Sequence, residues 1–131
     1  MRIAVSSDMD EPVARLLVDE LRRRGHTVIA YGALRAGDRK DWAWSAENAA
    51  RDLAEGRADQ AVVCCWTGTG ASIAANKVPG ARTWNDANAL ALSRGSLVRR
   101  RLREILDAWF AGAPSGEDAD RANVAHLEEI R

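Results

Sequence analysis

The sequence predicts one α/β domain in which a parallel sheet is covered by helices on both faces. Its 131 residues are enough for a single domain with a sizeable core. Hydrophobic residues make up 47% and charged residues 29% of the chain, which is the balance of an ordinary globular protein. Short β-rich runs alternate with helical segments, and that alternation favours a parallel sheet between two helical layers.

The first half of the chain predicts strand, helix, strand and helix. "RIAVSS" is a β-rich run, and the helical segment after it has Pro12 in its first turn and Gly25 beyond its end. "HTVIAYG" is predicted as a second buried strand. Ser45 is the predicted cap of a helix that stops at Gly56.

The second half continues the alternation. "QAVVCC" is predicted as a third strand, "GASIAANK" as the start of a helix and "NALALS" as a further strand. "LVRRRLREILDAWF" has the apolar spacing of an amphipathic helix. A short helix over 121–130 is expected to end the chain.

Charge and composition narrow the function classes. Nineteen basic residues balance nineteen acidic ones, so no overall field favours nucleic acid or a membrane surface as partner. The opening residues turn acidic where a signal peptide would continue apolar, so no signal peptide is expected, and no apolar run is long enough to span a bilayer. The two cysteines are adjacent and cannot crosslink distant segments, so we expect a reducing, cytoplasmic location.

The stretch "CCWTGTGASIAANK" places reactive groups where a strand meets a helix. Ligands of parallel sheets bind beyond the carboxyl ends of the strands, where both this stretch and "SSDMDE" are predicted to lie. Cys65 would be next to a helix N-terminus, which favours a thiolate. Gly68 and Gly70 would turn backbone amides inward, and hydroxyls come from three further residues, Thr67, Thr69 and Ser72. A base beside oxyanion-binding amides suits proton transfer next to a carbonyl.

Two other interpretations of this stretch stay open on spacing alone. It can be a tight turn with an inert cysteine. Gly68 and Gly70 also partly match a dinucleotide fingerprint, although they follow the third strand and no ribose-binding acid is evident.

"CWTGTGASIAANKVPGAR" resembles the signature of the ribose-5-phosphate isomerase type B and galactose-6-phosphate isomerase family. "MRIAVSSDMDEP", "WNDAN" and "LREILDAWF" resemble further family segments, so the likeness covers nearly the whole chain. The resemblance implies a three-layer α/β/α, Rossmann-like fold and an aldose–ketose isomerase acting through a cis-enediolate.

The resemblance also implies roles for individual residues. Cys65 would be the base, Thr67 would move protons between the enediolate oxygens, and the amides of residues 66–70 would hold the anion. Asp8 and Asn85 match substrate-binding positions. Arg121 resembles an arginine that reaches the substrate phosphate across a dimer interface. A homodimer or dimer of dimers is implied, with a sugar phosphate as ligand and with neither a metal nor an organic cofactor.

Three positions depart from the family pattern. Met9 and Trp84 stand where the family has histidines, and the second of these histidines normally opens the sugar ring. Indole cannot replace it as an acid near neutral pH. Trp66 replaces a glycine and would place a large ring in the pocket. We therefore expect a changed substrate, with Trp66 and Trp84 either stacking on it or packing against protein.

A family strand and the start of its helix have no counterpart between "VPGAR" and "TWNDAN". Either the protein has lost this strand, or the numbered sequence omits residues between Arg82 and Thr83. Loss of a central strand would leave the backbone groups of neighbouring strands unpaired, which favours the second explanation. The isomerase hypothesis competes with a non-catalytic sugar-phosphate binder and with a divergent enolising enzyme.

Overall fold

The structure, a computed structural model, describes residues 1–81, 87–127 and 129. In these residues one parallel sheet has the strand order β2-β1-β3-β4. The strands are β1 (Arg2–Ser7), β2 (Thr27–Gly32), β3 (Gln60–Cys65) and β4 (Ala89–Ser93).

Helices cover both faces of the sheet. They are α1 (Pro12–Arg23), α2 (Trp42–Ala54), α3 (Thr69–Asn76), α4 (Arg99–Ala111) and α5 (Asp118–Leu127), with a 3₁₀ turn at Arg94–Ser96. Side chains of α1 and α4 pack with one face of the sheet, and those of α2 and α3 with the other. The predicted three-layer α/β/α class is confirmed. None of the described helices combines the length and the apolar character that a membrane span requires.

Successive strand residues point to opposite faces of the sheet, and the two core layers that they enter differ in composition. The face toward α1 and α4 is filled by large aliphatic side chains, including Ile3, Leu17 and Leu102. The face toward α2 and α3 is dominated by alanines, such as Ala49 and Ala75. Small side chains let α2 and α3 lie close to the sheet and bring their first turns near the ends of the strands.

The bounds of β1 and β3 are as predicted, but the prediction that β2 is buried is wrong. Within the described part of the chain the strand pairs only with β1, and most of its side chains are partly exposed. It is an edge strand of the described sheet, in which no strand lies on its other side.

The predicted cap of α2 is also wrong. The helix begins at Trp42, with Asp41 as the preceding residue, and the Ser45 amide already donates a helical hydrogen bond to the Asp41 carbonyl at 3.0 Å. Ser45 is buried because it packs against Gly32, where an added Cβ would lie 2.8 Å from the Ser45 Cβ. Its small size therefore serves packing.

β3 pairs directly with β4, which bears on the prediction that a missing central strand would leave its neighbours unpaired. The two strands are in register from Ala61 with Ala89 to Cys65 with Ser93. The expectation of an unpaired ladder is therefore wrong for the described residues. The Arg82–Thr83 junction itself lies outside them.

The C-terminal helix α5 begins at Asp118, three residues before its predicted start. None of its residues is buried. It therefore adds little to the core of its own chain.

Candidate active site

Three strands of the parallel sheet end at the same edge and bring distant residues together. Asp8 follows β1, Trp66 follows β3, and Arg94 follows β4. The register pairs Ser7 with Cys64 and Cys65 with Ser93, so these ends are adjacent. This is the edge at which parallel sheets bind ligands.

A cavity of about 290 Å³, which we call the Cys65 cavity, lies at this edge. Its described lining comprises Asp8, Trp42, Cys65, Trp66, Thr67 and Gly70. Five of these six were predicted from the sequence. Trp42 was not, because the helix that carries it was expected to begin at Ser45.

The two adjacent cysteines occupy different environments, as their alternation along β3 predicts. Cys64 packs in the layer formed by α1 and α4, and burial raises the pKa of its thiol to about 12. It therefore stays protonated and inert. Cys65 belongs to the opposite layer and lies at the cavity, where 6% of the residue is exposed. Only Cys65 is placed to meet a ligand.

The turn between β3 and α3 is fixed by its glycines. Gly68 has a left-handed φ of 82°, and an added Cβ there would lie 3.1 Å from the Leu92 carbonyl carbon. At Gly70 an added Cβ would lie 2.9 Å from Cε3 of Trp42. From the sequence, both glycines were predicted to let a ligand approach the backbone. In the structure they also leave room for β4, at Gly68, and for the Trp42 ring, at Gly70.

The hydroxyls of this segment are not all at the cavity. Thr67 lines it, and its Oγ1 accepts a hydrogen bond from the Thr69 amide at 3.3 Å. Thr69 is exposed at the start of α3. Ser72 lies one turn further along, where its Oγ accepts a hydrogen bond from Asn76 at 3.4 Å. Neither Thr69 nor Ser72 is among the described lining residues.

Trp66 is held at the rim of the cavity by β4 and the turn after it. Its carbonyl accepts hydrogen bonds from the Gly95 amide at 3.0 Å and from the Ser93 hydroxyl at 2.9 Å. An added Cβ on Gly95 would lie 2.9 Å from Cε2 of the Trp66 ring. The indole is 61% exposed. A large ring thus stands at the mouth of the cavity with its backbone fixed.

A buried ion cluster, not predicted from the sequence, supports the Asp8 side of the cavity. Arg94 Nη2 donates to Asp8 Oδ1 at 2.9 Å, and Nη1 lies 2.5 Å from Glu11 Oε2. The Arg94 side chain is 1% exposed. Burial opposes its charge, but the two carboxylates outweigh that effect and raise the pKa of Arg94 above its ordinary value. A signal was available, since an arginine directly after a predicted strand lies at the ligand-binding edge.

The remaining predicted residues lie elsewhere. Met9 is half exposed and is not among the described lining residues. Arg121 lies exposed on α5, where it pairs with Asp118 at 2.6 Å and lines a separate cavity together with residues 114, 115, 120 and 123–127. Trp84 and Asn85 are outside the described residues. The described part of the chain contains no cluster of His, Cys, Asp or Glu that could hold a metal ion.

Sequence and fold both resemble known isomerases. Residues 3–84 match the family model described as Ribose/Galactose Isomerase, and this range contains every described residue of the Cys65 cavity. The chain is 32% identical to ribose-5-phosphate isomerase B of Escherichia coli strain K12 over 114 residues, covering 76% of each protein.

Two further relatives match over almost the whole chain. Identity to the D-erythrulose-4-phosphate isomerase of Pectobacterium atrosepticum is 27%, covering 98% of this chain and 97% of that protein. The solved structure of ribose-5-phosphate isomerase B from Clostridium thermocellum has a TM-score of 0.84 and 29% identity, covering 99% of this chain and 97% of that one.

Proposed function

The chain belongs to the ribose/galactose isomerase family, and on that basis we propose that it is an aldose–ketose isomerase of a sugar phosphate. Relatives that match it are named for a tetrose phosphate, a pentose phosphate and a galactose phosphate. A cavity of about 290 Å³ is at the small end of ligand sites and suits a monosaccharide phosphate.

We propose Cys65 as the base, and its place at the cavity is the observation that carries this proposal. It is the cysteine of the pair that meets the cavity, with Asp8 and Thr67 in the same lining. A thiolate there would remove the proton from the carbon beside the carbonyl. The resulting cis-enediolate would take the proton back on the neighbouring carbon, which completes the isomerisation.

The other groups of the site have roles that follow from their chemistry. Thr67 would pass a proton between the two enediolate oxygens, and Asp8 would accept hydrogen bonds from sugar hydroxyls. Backbone amides of residues 66–70 would stabilise the developing oxyanion. Trp66 and Trp42 would bound the substrate on two sides, since both residues line the cavity.

We further propose that the phosphate is bound with the help of Arg121 from a second copy of the chain. Support comes from α5, which carries Arg121 and buries none of its residues on its own chain. A homodimer in a reducing cytoplasm is the corresponding assembly and location.

The test is deuterium exchange from solvent into D-ribose 5-phosphate, D-erythrulose 4-phosphate and a panel of other aldose and ketose phosphates. The wild type should label one of them beside the carbonyl. Cys65→Ala should lower that rate by about 10²–10⁴-fold, which is the contribution of a positioned base. Cys64→Ala is the matched control, because that thiol points into the opposite layer and should leave the rate per folded molecule unchanged. Full exchange by Cys65→Ala would rule out the base.

A non-catalytic sugar-phosphate binder is the second candidate. One observation favours it: no histidine is among the described residues that line the cavity, so the imidazole that the family resemblance implies for ring opening is not found among them. A binder would bind a sugar phosphate without catalysing deuterium exchange into it. Its Cys65→Ala variant would bind the sugar phosphate as tightly as the wild type does.

A further inference from the structure

We propose that Arg94 is a positioning residue, which holds the Asp8 carboxylate at the Cys65 cavity and does not itself bind the substrate phosphate. The inference rests on the proposed function, because it takes Asp8 as the acceptor for sugar hydroxyls. It assigns a task to a buried charge that the proposed chemistry does not otherwise use.

The first argument is the geometry of Asp8. Arg94 Nη2 engages its Oδ1 at 2.9 Å, whereas its Oδ2 has no hydrogen bond from any residue that the structure describes. Asp8 also lines the cavity and is 20% exposed. One oxygen is thus anchored to protein, and the other is left to accept a hydrogen bond from a ligand.

The second argument is that Arg94 is itself held in place. It lies in the 3₁₀ turn after β4, and the next residue, Gly95, donates its amide to the Trp66 carbonyl at 3.0 Å. Its Nη1 is 2.5 Å from Glu11, the residue before the first turn of α1. Arg94 therefore connects the segments that follow β1 and β4, and Asp8 is fixed relative to Trp66.

The third argument concerns the cost of this arrangement. The guanidinium is buried, and its Nε has no hydrogen-bond partner among the described residues. A buried charge with an unsatisfied donor is a poor source of stability compared with apolar packing. A role in holding Asp8 explains why an arginine occupies this position.

Its surroundings also argue against Arg94 as a phosphate ligand. Two carboxylates and one guanidinium leave a net charge of −1 in the cluster, from +1 for Arg94 and −2 for Asp8 and Glu11. A phosphate would have to displace one carboxylate and meet the repulsion of the other. The side chain is 1% exposed, so little of it can be reached by an anion.

The test compares Arg94→Met, Asp8→Asn and the double variant, with the sugar phosphate that the wild type labels in the exchange experiment. Arg94→Met should lower kcat/KM by about 10-fold or more, as expected for a lost charge-assisted hydrogen bond. The kcat/KM of the double variant should be no lower than that of Asp8→Asn, because both substitutions remove the same function. Multiplying losses would overturn the proposal.

Two further readouts separate positioning from anion binding and from folding. The inhibition constant of inorganic phosphate should stay within about twofold in Arg94→Met, and a tenfold rise would make Arg94 a phosphate ligand instead. Arg94→Lys keeps the charge with a single donor group and should recover part of the activity. Glu20→Gln, which removes a buried carboxylate on α1 that is not among the described lining residues of the cavity, should leave kcat/KM unchanged.

The inference can fail separately from the proposed function. If the wild type catalyses no deuterium exchange into any sugar phosphate, the isomerase proposal fails. A double-variant cycle of urea unfolding then still tests whether Arg94 and Asp8 interact. Arg94→Met should lower the urea midpoint of the wild type more than that of Asp8→Asn. Equal shifts in the two backgrounds would show that Arg94 does not hold Asp8.

Discussion

Two buried charges, Glu20 and Arg94, are surrounded by groups of opposite sign, yet they serve different parts of the molecule. The Glu20 side chain is 2% exposed and the Arg94 side chain 1% exposed. The partners of Glu20 are three arginines, Arg23, Arg24 and Arg103, at 2.6, 3.1 and 3.4 Å. Those of Arg94 are the carboxylates of Asp8 and Glu11.

The difference lies in what the partners join. Glu20 and Arg103 connect α1 to α4 on an outer layer, and Arg24 strengthens that contact by pairing with Asp107 at 2.7 Å. Arg94 connects segments beyond the carboxyl ends of the strands, and its partner Asp8 lines the cavity. Burial and ion pairing are therefore common to both residues. Their positions relative to the ends of the strands decide which of them can influence ligand binding.

The largest effect expected from this comparison is that of Arg94→Met on stability. The change leaves two carboxylates near each other without a cation. Because they are 20% and 29% exposed, water can relieve part of the cost. We expect a loss of about 3 kcal/mol in the free energy of unfolding, at the low end for breaking a buried pair. Urea unfolding measures it, and a loss below that of Glu20→Gln would contradict this order.

Glu20→Gln should cost less, about 2 kcal/mol, because two of the three arginines it leaves are well exposed, at 63% and 47%. Deuterium exchange per folded molecule should equal that of the wild type. A fall in exchange comparable with that of Arg94→Met would erase the distinction between the two clusters.

Acid should weaken the Glu20 cluster over a defined range. The Arg23 hydrogen bond, against the effect of burial, lowers the pKa of Glu20 from 4.5 to about 2. The stability from the ionised form is therefore present above pH 4.5 and is lost as the pH falls through about 2. Unfolding between these values should depend less on pH in Glu20→Gln than in the wild type.

Salt provides the control for this titration. The pKa of Asp59 is also lowered to about 2, by hydrogen bonds from Arg2, but that pair lies on the surface. Measurements in about 0.5 M NaCl screen exposed pairs more than buried ones. A difference between the wild type and Glu20→Gln that disappears in salt would show that the cluster is effectively exposed.

The smallest effect is expected where a buried carboxylate has a neutral donor. Asp52 accepts a hydrogen bond from the Tyr31 hydroxyl at 2.6 Å as well as one from Arg57. Tyr31→Phe removes one bond and keeps the ion pair, so we expect a loss of about 1 kcal/mol. A loss as large as that of Glu20→Gln would show that the charge of the donor matters little here.

The same tyrosine should give an alkaline signature. Burial, followed by the Asp52 hydrogen bond, raises the pKa of Tyr31 from 10.0 to about 12. Its contribution is present below pH 10.0 and lost as the pH rises through about 12, so Tyr31→Phe should lack this part of the alkaline decline.

Local patterns predicted much of the fold and most of the cavity. The apolar runs of β1 and β3 gave their bounds correctly, and the turn chemistry around Gly68 located the start of α3. Residues brought in from a distance were missed. The place of Arg94 after a predicted strand puts it at the ligand-binding edge, but its partner Asp8 is 86 residues away, and no local pattern predicts that pairing. Trp42 was missed because the size of Ser45 reflects packing on Gly32, which only the assembled sheet reveals.

The close contact of Gly70 with Trp42 has a consequence for how the site can evolve. An added Cβ at position 70 would lie 2.9 Å from the indole, so a side chain there requires a smaller residue at position 42. Among homologues, the side-chain sizes at positions 42 and 70 should therefore vary in opposite directions, with a larger residue at one position accompanied by a smaller residue at the other. Substrate range would then change by paired substitutions, since either change alone passes through an overpacked or a hollow site.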